Sequence, residues 1–262
     1  MNRTDVAIVV NTCPKYFYLL DACFGLIRRY ADECKWPIYL ATEIPDDPVV
    51  ESVIAKHRVQ LLPLPFEDSD FLQSRVAAMK MLPQQIQYVL PLQEDFLLER
   101  VIDSRALTSA VQLLDKDQML QGIRLMPCPG SSLKKFAGTW QVLGPDDLIF
   151  SYQATLWRKD LYTKYMSTLV HRGLEDNQLK PLTPEWNMYC IRQNPAETFL
   201  GLSFLKSLFR DGVYLCWPRK ASWANAVYWC PWPYRPTAVV QGVLQPWAKE
   251  LIRREGFVLR ET

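Results

Sequence analysis

Residues 5–11 read Asp5-Val6-Ala7-Ile8-Val9-Val10-Asn11, an unbroken β-branched apolar run closed at both ends by polar side chains. A strand buried on both faces has this composition, and such strands belong to parallel sheets covered by helices on either side. The rest of the first hundred residues repeats the same grammar. Residues 16–31 carry apolar side chains at helical spacing, and 37–42 (PIYLAT) form the next strand. A turn at 45–48 leads into a short helix over 49–56, and 58–64 (RVQLLPL) read as a third strand. A helix over about 69–85 then precedes a fourth strand that opens the stretch Tyr88-Val89-Leu90-Pro91-Leu92-Gln93-Glu94-Asp95-Phe96-Leu97-Leu98.

Alternating strands and helices predict an open α/β sheet. Right-handed crossovers place the strand C-termini along one edge, where such sheets bind ligands. That edge should gather Asn11-Thr12-Cys13, Glu43, residues 65–70 and Gln93-Glu94-Asp95. The second half is less regular. It offers a helix over 104–120, a strand over 122–126, a loop over 127–144 rich in Pro, Gly and Ser, and a strand passing into a helix over 150–170. Further helices are expected over 195–210 and 245–255. Residues 213–236 hold four of the nine tryptophans and four of the 19 prolines, and core filling is the simplest use of those rings. With no repeat and no linker, the 262 residues read as a single domain, residues 1–100 forming the nucleotide-binding half and 101–262 the acceptor-side half.

Composition excludes several classes. Lys and Arg number 30 against 28 Asp and Glu, and a net charge of +2 argues against a protein that coats nucleic acid. Seven cysteines, an odd number without a CxxC pair, argue against a disulfide framework or a zinc site and for reduced thiols in a cytoplasmic setting. The five-residue apolar run near the N-terminus is too short for a signal peptide core, and no run of about 18 apolar residues is present. The basic, aromatic segment at 216–236 suits a sugar-stacking surface or a peripheral contact with a membrane holding a lipid-linked acceptor, and equally suits a core.

Two adjacent carboxylates at the end of a buried strand suit a diphosphate ligand, because a divalent cation can lie between the two sets of oxygens. Mg²⁺ and Mn²⁺ prefer hard oxygen donors and complete their shells with phosphate and one or two carboxylates. The same two acids also suit the cap of a following helix or loop. Spacing alone leaves both uses open.

VLPLQEDFLLERVI (residues 89–102), followed by FSYQATLWRKDLYTKYM (150–166), resembles the GT-A type of nucleotide-sugar glycosyltransferase with its DxD motif. The likeness is to bacterial and viral glycosyltransferase-like proteins that carry a strand-borne QEDF and a later YQAALWR segment. VAIVVNTCPKY (6–16) and VVQGVLQPWAKELIRREG (239–256) also fit that group, so the resemblance covers most of the chain in patches. It implies a GT-A-like open mixed sheet flanked by helices and the transfer of a sugar from a UDP- or GDP-linked donor to a glycan or lipid-linked hydroxyl. It implies Asp95 as metal ligand to Mn²⁺ or Mg²⁺ and Glu94 beside the ribose or the sugar. Gln93 stands where the usual motif has its first aspartate. Thr12 and Glu43 match positions that cradle the base, and Arg75 is placed to grip the diphosphate in forked geometry. Ser151, Tyr152, Gln153, Trp157 and Arg158 would adjoin the sugar and acceptor, with Trp157 serving either there or in the core. For an inverting transfer, Glu197 is the first choice of base and Glu185 the second. A catalytically silent nucleotide- or glycan-binding protein and a nucleotidyltransferase are the alternative readings.

Overall fold

The alternation of faces along the first strand decides the layering. In β1 (Val6–Asn11), Val6, Ile8 and Val10 enter one apolar cluster, while Ala7 and Val9 enter a second one on the opposite side. Both faces are therefore covered, as the continuous apolar run requires. The computed structural model describes residues 2–65, 71–127, 130–144, 147, 149–171, 212–218, 229–236 and 238–259.

Strands β2 (Ile38–Thr42), β3 (Gln60–Pro63) and β4 (Tyr88–Gln93) join β1 in parallel, with β1 between β2 and β4. The second half of the chain continues the same sheet. β5 (Leu120–Arg124), the hairpin strands β6 (Phe136–Ala137) and β7 (Trp140–Val142), β8 (Thr155–Arg158) and β9 (Val213–Cys216) complete nine strands in the order β3-β2-β1-β4-β8-β5-β9-β7-β6. β8 runs antiparallel to both β4 and β5, so the sheet is mixed.

Helices α1 (Leu20–Tyr30), α2 (Pro48–His57) and α4 (Ser104–Lys116) pack on the face of Val6 and Ile8, together with the C-terminal helix α6 (Pro246–Arg254). A 3₁₀ segment, Pro14–Leu19, leads into α1, which buries Leu20, Cys23, Phe24 and Ile27 at the spacing of one helical face. Asp47 and Asp103 cap α2 and α4, accepting hydrogen bonds from the backbone N–H of Val49 and of Ala106 at 2.8 and 2.9 Å. Helices α3 (Phe71–Met81) and α5 (Lys159–His171) cover the other face, with α3 contributing Leu72, Val76 and Met79 and α5 contributing Tyr162, Tyr165 and Met166.

The loop expected over 127–144 contains the β6–β7 hairpin, which turns at Gly138 (φ 62°) and joins the sheet through β9. Composition pointed to a loop because the strands are only two and three residues long. The buried indole of Trp140 anchors them against Trp217, ring to ring at 5.3 Å. The helix expected over 195–210 lies outside the described residues, as do Glu185 and Glu197. The described cysteines, Cys13, Cys23, Cys34, Cys216 and Cys230, are free thiols. Among the described residues no helix is long and apolar enough to cross a membrane.

One close approach at the centre of the sheet sets a limit on sequence. A Cβ at Gly122 on β5 would stand 2.7 Å from the six-membered ring of Trp157 on neighbouring β8. Trp157 is itself buried against Phe150 and Tyr162, so it has little room to move. Gly122→Ala is expected to cost about 1–3 kcal/mol through overpacking, read as a lower urea midpoint with an unchanged slope.

Candidate functional site

The parallel strands β1, β2 and β4 end side by side at Asn11, Thr42 and Gln93, and Asn11 is paired in register with Gln93. Because β8 runs the other way, its first residue lies at this same edge and its last at the opposite one. Residues 151–153 therefore arrive beside Gln93, and the three line a small recess with Gln93, Arg75 and Tyr162. Arg158 sits beside Tyr88 at the far end of β4. Its guanidinium donates to the carbonyls of Leu120 and Asp117 at 2.8 and 3.0 Å, and to that of Leu114, closing the C-terminal end of α4 onto the sheet. The expected placement of Arg158 at the acceptor is thus replaced by a role in joining helix to strand. Trp157 is 2 % exposed and packs into the aromatic cluster around Phe150, the core alternative that its sequence had left open.

At the end of β4 the chain turns, the N–H of Phe96 donating to the Gln93 carbonyl at 3.1 Å, and the turn buries both acids. Glu94 is 7 % exposed and Asp95 is 5 % exposed. Burial, joined by the charge of Asp95, pushes the Glu94 carboxyl well above the usual carboxylate range, although Arg75 draws it back in part. Burial pushes Asp95 up to about 6, against hydrogen bonds from the backbone of Val239 and Ala238. Asp95 Oδ2 accepts the Val239 N–H at 3.3 Å, while Oδ1 is buried with no hydrogen-bond partner among the described residues. A desolvated carboxylate oxygen without a donor is costly unless a cation reaches it.

The pair borders a cleft of about 470 Å³, a volume suited to a small ligand. Lys15 and Tyr16 of the 3₁₀ segment line it from one side, and a second hairpin lines it from the other. That hairpin consists of β10 (Val239–Val240) and β11 (Val243–Leu244), joined through Gln241 and Gly242 at φ 52° and 78°. Positive φ at both turn residues suits the twist of a two-residue hairpin connection. Neither the hairpin nor Lys15 emerged as a site element from sequence. A two-residue strand leaves no periodic signal, and the Gln-Gly dipeptide was its one legible trace.

Other expected residues fall around this cleft with different partners. Thr12 is buried, its N–H donating to the Ala41 carbonyl at 3.2 Å and its hydroxyl to the Cys13 carbonyl at 3.5 Å. Glu43 accepts a hydrogen bond from the Ser74 hydroxyl of α3 at 2.5 Å. Arg75 is 5 % exposed; it donates to the Phe71 carbonyl at 2.9 Å and lies over the Phe71 ring at 3.3 Å. Its guanidinium is therefore held in an aromatic pocket of Phe71 and Tyr152, on the recess side of Gln93. Ser151 is buried, and its hydroxyl accepts the Gln153 N–H at 3.3 Å. Gln153 Oε1 accepts the Tyr234 hydroxyl at 2.7 Å.

Asn11, which the sequence placed at this edge without a role of its own, belongs with these residues. Both atoms of its buried amide lack a hydrogen-bond partner among the described residues. Its signal was a polar side chain closing an apolar run, which reads equally well as the ordinary end of a strand.

No family model matches the chain, and no curated protein matches it in sequence. Solved structures are similar to it in fold. S. aureus TarS, residues 1–349, matches with a TM-score of 0.46 at 12% identity, over 83% of this chain and 59% of that one. The same stretch of TarS in complex with UDP-GlcNAc gives 0.43 at 13% identity, over 62% of this chain and 47% of that one. The 4-diphosphocytidyl-2C-methyl-D-erythritol synthase of Anaerococcus prevotii DSM 20548 gives 0.43 at 11% identity, over 68% of this chain and 82% of that one. This chain thus spans about half to three-fifths of the length of the TarS structures. At these identities the likeness is one of overall fold and assigns no residue a role.

Proposed function

We propose that this protein is a glycosyltransferase that moves a sugar from a UDP- or GDP-linked donor to a hydroxyl of a glycan or surface polysaccharide. The observation that carries the reading is the Glu94–Asp95 pair: two adjacent buried carboxylates at the C-terminal edge of a parallel strand, facing a ligand-sized cleft, with Asp95 Oδ1 lacking a partner among the described residues.

The donor set fits a divalent cation. No group of three His, Cys, Asp or Glu among the described residues is arranged to hold a metal. The protein's share of the shell would be Asp95, with Glu94 beside it, and phosphate and water oxygens would supply the rest, the usual division for Mg²⁺ bound with a diphosphate. When bound there, such a cation would supply Lewis acidity to a departing diphosphate.

The chain's own residues account for the remaining tasks. The end of β4 fixes the carboxylates on a rigid element, and the Val239 N–H orients Asp95 so that Oδ1 is the free oxygen. Gln93 lines both the cleft and the recess of residues 151–153; the recess has a free volume of about 10 Å³, room for no more than a hydroxyl group, so the sugar would lie on the cleft side of Gln93. Tyr234 fixes the Gln153 amide by donating to its oxygen, which leaves the amide N–H₂ to meet a sugar hydroxyl. Glu197, with Glu185 second, is the base we propose for taking the acceptor's proton in an inverting reaction.

Purified protein incubated with a panel of UDP- and GDP-sugars and Mn²⁺ is expected to release free UDP or GDP slowly in the absence of acceptor. Binding without release would instead indicate a silent binding protein on this fold, and pyrophosphate released from a nucleoside triphosphate would indicate a nucleotidyltransferase.

A further inference from the structure

The cleft that holds two carboxylates on one wall carries a cation on another. Lys15 lies four residues beyond the end of β1, in the first turn of the 3₁₀ segment, and is exposed at the cleft it lines. Among the described residues lining that cleft it is the sole cationic side chain. It forms no ion pair among the described residues, although two acids border the same space. Its one ring contact is with its own neighbour, Tyr16, at 5.5 Å.

The opposite wall is shaped around this ammonium group. A Cβ on Gly242 would stand 3.0 Å from Lys15 Nζ, and Gly242 has φ 78°, so the turn presents bare backbone to the lysine. The same hairpin is tied to the acidic pair, through Val239 N–H to Asp95 Oδ2 and Ala238 N–H to the Asp95 carbonyl at 3.4 Å. Hairpin, ammonium and carboxylates therefore border one volume.

We infer that Lys15 is the diphosphate-binding cation of this cleft, gripping phosphate oxygens from beside the Gly242 turn, in the same cleft that Asp95 borders. The inference rests on the nucleotide-sugar reading above and supplies what that reading lacked. Arg75, the residue that sequence placed at the diphosphate, has its guanidinium engaged by the Phe71 carbonyl and ring. A divalent cation on Asp95 would cancel the carboxylate charge but leave much of the diphosphate's own negative charge uncompensated, and an ammonium group in the same cleft supplies positive charge there. A lysine ammonium, a compact charge with rotatable donors, suits phosphate oxygens that shift as the sugar leaves.

The test is isothermal titration of the full chain, in Mg²⁺, with UDP and GDP and with the matching nucleosides uridine and guanosine. Lys15→Ala is expected to weaken diphosphate binding about tenfold, one charge-assisted contact. It should leave nucleoside binding unchanged and flatten the salt dependence of diphosphate binding. Lys15→Arg should retain most of the affinity. Lys249→Ala, on the exposed side of α6, should bind as the unsubstituted protein does. Since Lys15 is exposed, unchanged melting will confirm that each variant is folded. If the unsubstituted protein binds UDP or GDP and Lys15→Ala binds it equally well, the assignment of Lys15 falls while the donor reading stands. If the unsubstituted protein binds neither diphosphate, both fall.

Discussion

Asp95→Ala is expected to lower Mn²⁺-dependent release of UDP or GDP from the preferred donor about a thousandfold, with little loss of stability. A Lewis acid at a leaving diphosphate contributes several kcal/mol to the transition state, and each 1.36 kcal/mol is about a factor of ten in rate. The stability half of the prediction separates the functional reading from the capping one. Asp95 is 5 % exposed, and its Oδ1 has no partner among the described residues, so the side chain is held at a desolvation cost that its backbone hydrogen bonds do not offset. Asp95→Asn makes the sharper comparison, because its amide oxygen can still accept the Val239 N–H while the buried charge is gone. In the absence of metal this variant should melt at or above the temperature of the unsubstituted protein. Added Mn²⁺ with UDP or GDP should raise the melting temperature of the unsubstituted protein alone, by mass action on the folded state. If Asp95→Asn is markedly destabilised and retains turnover, the carboxylate is a structural cap, and the metal-assisted reading of this site fails.

The first half of the fold was legible because its strands are buried on both faces. Val6–Asn11 and Ile38–Thr42 have no exposed position, so their sequences are unbroken apolar runs that fit few other structures. The carboxylate pair was legible for the same reason, two acids being conspicuous at the end of such a run. The second half was harder to read because its strands are short and take their partners from distant sequence. β6, β7, β10 and β11 are each two or three residues long, and β9 inserts between β5 and β7 from about ninety residues away. Direction also escaped the sequence. The segment 150–158 reads as a strand whichever way it runs, yet its antiparallel pairing with β4 brings Gln153 to the ligand edge and carries Arg158 away from it. Helical burial was similarly invisible for Arg75. One charged residue among the apolar positions of α3 looks like a solvated side chain until the Phe71 and Tyr152 rings are seen around it.

Tyr234→Ala is expected to produce the largest loss of stability of any single change near the cleft, about 4 kcal/mol. The ring is fully buried and stacks on Phe96 with centroids 4.6 Å apart and planes inclined by 21°. Its hydroxyl donates to Gln153 Oε1 at 2.7 Å and accepts the Ala154 N–H at 2.9 Å. The backbone beside it bridges to Leu98, and the N–H groups of Glu99 and Asp103 donate to the carbonyls of Pro233 and Pro231 at 3.0 Å. Removing the ring therefore opens a cavity under the turn that carries Glu94 and Asp95, and strands two polar groups at the start of β8. Urea unfolding should show the loss as a lower midpoint. Tyr234→Phe separates the two contributions. It keeps the stack and loses the hydroxyl, so it should cost only about 1–2 kcal/mol. With the Gln153 amide free to rotate, its effect on sugar transfer should exceed its effect on stability, as a higher KM or a lower kcat with the fold intact. A Tyr234→Phe variant that turns over donor and acceptor as the unsubstituted protein does would remove Gln153 from the acceptor site and leave Tyr234 as a core residue whose hydroxyl serves the fold.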